Sequence, residues 1–343
     1  MKIAPETASQ RKARHLDICS HPERYPIESD DNGFGRWRLN HRALPELAWD
    51  ELDTTVDFLG QRLALPLFIS CMTGGAPGAG DLNRQLAGAA EQLGIAVGTG
   101  SIRLLAHHPE YLPDFCLKRW APSVPLLANI GATAIRDLPP QAIQVWLDAM
   151  AADALVIHLN AGQELFQPAG DRDFRGLRAA IAGYIKQAQL PVIVKETGFG
   201  LAPDEADWLL EAGAAYVDLS GSGGANWALV ESFRQGGDSS LAKELRNWGY
   251  PTAELLAALG RRDGRVLASG GLRSAQDCAT ALALGAQACG LATPLARAAE
   301  AGGQAAMVER LSSLAHGLKV IMLLTGSRNV ADLRRPGVLQ PTP

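Results

Sequence analysis

Residues 154–196 hold the stretch that decides the fold. It reads A-L-V-I-H-L-N (154–160), then F-R-G-L-R-A-A-I-A-G-Y-I-K-Q-A (174–188), then P-V-I-V-K-E (191–196). The outer pieces are unbroken apolar runs, and the middle piece spaces its apolar residues as a helix does. Strands that read as continuous apolar runs are those buried on both faces, the condition of a parallel sheet covered by helices. The stretch is one β-α-β unit.

The same unit recurs along the chain. Further apolar runs lie at 65–74, 95–101, 126–131, 216–221, 265–271 and 288–293, making eight with the two above. Helical periodicity is read at 81–94, 109–121, 139–152, 203–214, 251–262, 274–286 and 304–326, besides 174–188. Eight strands alternating with eight helices is the arithmetic of a (β/α)8 TIM barrel. An open doubly wound sheet shares the alternation and is the competing architecture. Residues 1–60 are polar and irregular and read as an N-terminal extension; residues 61–343 carry the barrel. The link 222–250 is long and contains G-G-D-S-S (236–240), the texture of a lid or site loop.

Composition excludes several classes. The chain has 343 residues, 47% of them hydrophobic and 20% charged, so a large core is available and extended disorder is not expected. A net charge of −4 gives no bulk attraction toward nucleic acid or anionic membrane. No apolar run reaches the ~20 residues of a membrane span, and the first 15 residues lack the apolar centre of a secretory signal. Cys19, Cys71, Cys116, Cys278 and Cys289 are scattered and odd in number, as expected of reduced thiols in a cytosol. No H-E-x-x-H or paired-cysteine metal motif is present.

Barrel enzymes place chemistry at the C-terminal ends of their strands. Here those ends carry Met72-Thr73-Gly74-Gly75, Ser101 and Arg103, Asn129, then His158, Asn160, Gln163 and Glu164. They continue with Lys195 and Glu196, Ser220 with Gly221-Ser222-Gly223-Gly224, Gly270-Gly271-Leu272-Arg273, and Ala292-Thr293. The ring is rich in cations and amides and poor in acids, so it suits an anionic, planar ligand better than glycoside chemistry. Glycine turns followed by helix N-termini cradle phosphate, and barrels commonly hold one after their last two strands. Lys195 ends an otherwise apolar strand. It either reaches solvent or meets an anion, and the edge of a reduced flavin ring is an anion of that kind. Arg11, Lys12 and His15 read, on the residues alone, as a solvated basic patch.

Eight segments in order resemble the FMN-dependent, type 2 isopentenyl-diphosphate isomerase family: R-K-A-R-H-L (11–16), M-T-G-G (72–75), G-S-I-R (100–103), H-L-N-A-G-Q-E (158–164), V-K-E-T-G-F-G (194–200), V-D-L-S-G-S-G-G (217–224), W-G-Y-P-T (248–252) and A-S-G-G-L-R (268–273). H-L-N-x-x-Q-E is the most specific; M-T-G-G and the glycine turns occur in other flavin barrels. The resemblance implies a TIM barrel, tetrameric or octameric, that interconverts isopentenyl and dimethylallyl diphosphate. It also implies FMN, NADPH as reductant and Mg2+, with reduced FMN as acid–base and electrostatic partner. It implies FMN contacts at Met72, Thr73, Gly74, Ser101, Asn129, Lys195, Ser220, Ala225, Gly271, Arg273, Ala292 and Thr293. It implies substrate contacts at Arg11, Lys12, Arg103, His158, Asn160 and Gln163, with Gln163 positioning the reacting groups and Glu164 binding the metal. One departure is Ala225, where the family usually has a threonine whose hydroxyl helps hold the FMN phosphate. Two other readings stay open: a 2-hydroxy-acid oxidase-like FMN barrel, and a catalytically silent flavin-binding barrel.

Overall fold

The computed structural model describes residues 8–342 except 73, 76, 77 and 238. Eight parallel strands form the central sheet: β1 (Leu67–Ile69), β2 (Ala96–Ser101), β3 (Leu126–Gly131), β4 (Ala154–His158), β5 (Val192–Lys195), β6 (Tyr216–Asp218), β7 (Val266–Leu267) and β8 (Cys289–Leu291). Each pairs with the next in chain order, and β8 pairs with β1. The ring closes between β7 and β8 through a parallel bridge at Ala268 and Cys289. There Ala268 N–H donates to Ala288 O at 3.0 Å and Gly290 N–H donates to Ala268 O at 2.7 Å. The closed barrel is the architecture, and the open sheet is set aside. Every residue of β3 and β5 is buried, Lys195 included, which is why these strands read as unbroken apolar runs.

Twelve helices are described. In chain order they are α1 (Ala8–Ser20), α2 (Ala79–Leu93), α3 (Ala132–Asp137), α4 (Pro140–Met150), α5 (Ala161–Phe166), α6 (Leu177–Gln187), α7 (Pro203–Glu211), α8 (Trp227–Arg234), α9 (Ser240–Glu244), α10 (Thr252–Leu259), α11 (Ala275–Leu284) and α12 (Thr293–Leu324). Local chemistry fixes several starts. Ser274 and Asp277 form a reciprocal capping box at α11, and the Asn226 side chain accepts from the N–H groups of Ala228 and Leu229 at α8. Among the described residues no helix is long and apolar enough to cross a membrane.

Three sequence expectations are corrected. Residues 109–121 form no α-helix but two 3-10 segments, Pro109–Phe115 and Leu117–Arg119. Pro113 lacks the N–H that α-helical bonding needs, and Cys116 leaves helical geometry. The extension is not wholly irregular, since α1 runs for 13 residues. The link 222–250 is not a bare loop, since it contains α8 and α9.

The extension is stitched to both ends of the barrel. Ile18, Cys19, Tyr25 and Ile27 form a small apolar cluster with Ala228, Leu229, Val230 and Ala242 of α8 and α9, above the strand ends. The hairpin Val56–Phe58 with Gln61–Leu63 closes the opposite end. Its Phe58 is fully buried, 5.0 Å from the ring of Tyr216 at the start of β6 and stacked at 6.3 Å on Phe68 of β1. Residues Trp37–Leu39 pair antiparallel with Leu339–Pro341, joining segments from the two ends of the chain.

Phe58 is a plug whose neighbours come from strands and cannot collapse inward. Phe58→Ala should cost about 3–5 kcal/mol of stability, read as a lowered denaturant midpoint with an unchanged slope. A loss below about 1 kcal/mol would show that the hairpin is not holding the barrel floor.

Candidate active site

The strand ends gather the buried polar groups of the barrel. Asn129, Lys195, Asp218, Ser220 and Ser269 are each less than a tenth exposed. Lys195 Nζ donates to Glu196 O at 2.6 Å, and Ser269 Oγ donates to Asp218 Oδ1 at 2.7 Å. Burial raises the Asp218 pKa, with Lys195 and Ser269 opposing it. The neighbouring Glu196 carboxylate accepts the N–H groups of Gly198, Phe199 and Gly200, so it fixes the loop after β5 and is turned away from chemistry. Met72 is half-buried at the end of β1, and Thr73 lies outside the described residues.

On the β2–β4 side the structure assembles a basic pocket with amides around it. Lys12, from α1, donates to Gly74 O at 2.5 Å and to Ser101 O at 3.3 Å. Burial, and after it the charge of Arg11, lower its pKa to about 8, so an incoming anion would favour its charged form. Arg11 Nη1 donates to Gln167 Oε1 at 2.9 Å. Arg103 Nη1 lies 3.0 Å from Asp171 Oδ2, and that same oxygen accepts from Thr133 Oγ1 at 2.8 Å. His158 Nδ1 meets Asn129 Oδ1 at 2.9 Å. Burial, then the charges of Lys195, Arg103 and Lys12, lower the His158 pKa to about 3, so its imidazole is neutral.

The H-L-N-A-G-Q-E segment folds so that its polar members touch. Asn160 Nδ2 donates to Gln163 Oε1 at 3.2 Å and to Glu164 Oε1 at 3.0 Å. Asp171 N–H donates to Glu164 Oε2 at 2.9 Å. Gln163 Nε2 donates to Glu231 Oε1 at 3.1 Å, which anchors the amide at both ends. Glu231 is fully buried on α8, with Arg234 Nε at 2.7 Å and His15 Nε2 at 2.9 Å. Burial alone would raise its pKa, but contacts with His15, Arg234 and Gln163 bring it below the ordinary value. His15 also sits edge-on to Trp227. Sequence reading passed over Glu231 because A-L-V-E-S looks like an ordinary helix face. It also passed over Asp218, although an acid inside the apolar run Y-V-D-L-S was a usable signal.

The third part of the mouth is a glycine cradle. Gly270 and Gly271 have φ of 92° and 77°. A Cβ on Gly270 would fall 2.1 Å from Gly221 O, and one on Gly271 would fall 2.6 Å from the Gly223 carbonyl carbon. The turns after β6 and β7 therefore pack backbone against backbone, which only glycine allows. Gly224 and Gly271 are buried, and their N–H groups meet no acceptor among the described residues. Unpaired buried N–H groups beside Arg273 fit a phosphate. Ala292 and Thr293 begin α12 at the same rim, and Ala225 follows the cradle with no hydroxyl to offer. The cradle and Lys195 thus present the donors that an FMN phosphate and a reduced flavin ring require. Among the described residues no three acidic, histidine or cysteine side chains cluster as a metal site. Glu164 stands as a single carboxylate, which suits a Mg2+ that takes its remaining ligands from water and substrate phosphates.

Residues 159–340 match the family described as FMN-dependent dehydrogenase. An isopentenyl-diphosphate delta-isomerase of Borreliella afzelii is 39% identical over 335 residues, covering 97% of this chain and 94% of the relative. One from Methanoregula boonei is 41% identical over 335 residues, covering 95% and 92%. The chain belongs to the isopentenyl-diphosphate delta-isomerase family. Solved structures share its fold at lower identity. An active chimera of (S)-mandelate dehydrogenase superimposes with a TM-score of 0.66 at 20% identity, covering 96% of this chain and 99% of the other. A mutant flavocytochrome b2 with pyruvate bound gives 0.70 at 18%, covering 95% and 82%. These likenesses concern the barrel fold.

The desolvated, half-buried His158 imidazole makes a pH prediction. The folded His158 pKa of about 3 lies below the ordinary 6.5, so the unfolded chain takes up the proton first. The His158 contribution to stability is complete above about pH 7 and is lost as pH falls from 6.5 toward 3, with a slope of up to about 1.4 kcal/mol per pH unit. In NMR titration, the ring signals that disappear in His158→Gln should not move between pH 8 and pH 5. A midpoint near 6.5 for those signals would refute the neutral, desolvated imidazole.

Proposed function

We propose that this protein interconverts isopentenyl diphosphate and dimethylallyl diphosphate in the cytosol, with FMN at the barrel mouth and Mg2+ at the diphosphate. One observation carries the reading: Glu164, held by Asn160 and by the Asp171 N–H, lies on the same rim that gathers Arg11, Lys12 and Arg103. A diphosphate needs such cations. A carboxylate beside it is repulsive unless a hard divalent cation bridges the two, and Glu164 is the residue that would hold it.

The FMN ring would be held by Met72, Thr73, Gly74, Ser101, Asn129 and Lys195. Its phosphate would be held by Ser220, Ala225, Gly271, Arg273, Ala292 and Thr293. When bound and reduced, FMN would supply electron-rich acid–base chemistry for a substrate on which positive charge develops. The chain's own residues do the rest. Arg11, Lys12 and Arg103 bind the diphosphate and fix the direction of the hydrocarbon tail. His158 and Asn160 give neutral hydrogen bonds, so they orient substrate without adding charge. Gln163 is a poor base, and its anchoring by Asn160 and Glu231 gives it a positioning role. The isomerisation delivers a proton to one carbon and removes one from another, with no net electron transfer.

An oxidase of 2-hydroxy acids would need an imidazole base, and a histidine with a pKa of about 3 is a weak one at neutral pH. A silent flavin barrel has no use for Glu164. A homo-oligomer, tetramer or octamer, accompanies the isomerase reading, and exposed Leu241, Trp248 and Tyr250 offer it apolar surface.

The test is anaerobic assay of the purified protein with isopentenyl diphosphate, Mg2+ and NADPH. Many product molecules should form per NADPH consumed; one NADPH per product would identify a reductase and overturn the reading. Glu164→Gln should lose more activity at limiting than at saturating Mg2+. The same Mg2+ dependence in mutant and wild type would remove Glu164 from the metal site.

A further inference from the structure

The Glu28 carboxylate reaches the rim of the glycine cradle from the N-terminal extension. Its Oε1 lies 2.7 Å from Arg273 Nη2 and 2.8 Å from Arg297 Nη2. Arg273 follows β7, and Arg297 lies in the first turns of α12, after β8. The Glu28 backbone forms an antiparallel bridge with Ala225, after β6. Ser29 N–H donates to Gly224 O at 3.0 Å, and Asn226 N–H donates to Ile27 O at 2.8 Å. One residue therefore joins the connections after β6, β7 and β8, which converge on the cradle.

The Arg297 side chain is not fully used. Its Nε donates to Cys19 O at 3.2 Å. Its buried Nη2, although close to Glu28, has no aligned hydrogen-bond acceptor. A single carboxylate oxygen shared by two guanidiniums is a poor match to planar, forked donors; a phosphate offers three oxygens. Charge points the same way. Two arginines and a phosphate dianion balance, whereas the same group with Glu28 still inside carries a surplus negative charge. Ala225 supplies no hydroxyl donor at this rim, so a cationic donor fills the need.

Resting on the FMN reading, we propose that Arg297 is a second arginine of the FMN-phosphate site. Glu28, paired with both arginines, competes with the phosphate for them, and its charge holds the two cations together.

The experiment is a fluorescence titration of apoprotein with FMN and, separately, with riboflavin, which has the ring but no phosphate. Wild type, Glu28→Gln, Arg297→Met and Arg297→Lys are compared, with the thermal midpoint followed in parallel. Arg297→Met should weaken FMN roughly tenfold or more while riboflavin is unaffected, and Arg297→Lys should recover part of the loss. Glu28→Gln should tighten FMN several-fold, again without change for riboflavin, and should increase the stabilisation of the protein by inorganic phosphate. An FMN-to-riboflavin ratio that Arg297→Met leaves unchanged overturns the inference, as does weaker FMN binding by Glu28→Gln. Wild-type protein that binds neither flavin overturns the functional reading itself.

Discussion

A closed ring of parallel strands spends its backbone hydrogen bonds within the ring and buries its side chains on both faces. Polar chemistry then has one place to go, the rim where each strand hands over to its helix. Lys195 and Asp218 are the last residues of β5 and β6, Ser220 lies just beyond, and Asn129 sits two residues before the end of β3. Their burial follows from that position and sets the electrostatics of the mouth. His158 is driven neutral and Lys12 is softened toward pKa 8 because both are desolvated near other cations.

The barrel alone does not complete this rim. Helix α1 contributes Arg11, Lys12 and His15, and its docking relies on α8 and α9, which lie in the connection after β6. Glu231 of α8 has a double place in the arrangement. It faces His15 of the extension on one side and Gln163 of the β4 connection on the other. A disturbance of α8 packing would thus reach the Gln163 amide without touching the strands. The same economy operates at Glu28, whose backbone pairs with the β6 turn while its side chain spans two later connections.

How much of this was legible follows from the range over which each feature is encoded. The eight strands were readable because burial on both faces writes itself as local apolar runs. The helix expected at 109–121 was misread because its apolar spacing is also compatible with 3-10 turns, and Pro113 decides between them. Lys195 and Arg103 stood out as charges at strand ends. Arg11 and Lys12 drew attention through resemblance alone, since nothing nearby in sequence says that a basic helix crosses the barrel mouth. Glu231 and Glu28 were invisible for the same reason: their partners are 68 and 245 residues away.

The pairing of Trp37–Leu39 with Leu339–Pro341 has a bearing on how the protein is made. A ribosome delivers residues 37–39 about 300 residues before their partners. Throughout translation the early strand is an unpaired edge, and domains assemble as their pieces emerge. The β8 strand that closes the ring also arrives late. A chain that has not yet delivered β8 therefore has an open sheet and a loose extension, and its rim is complete only once that strand has emerged.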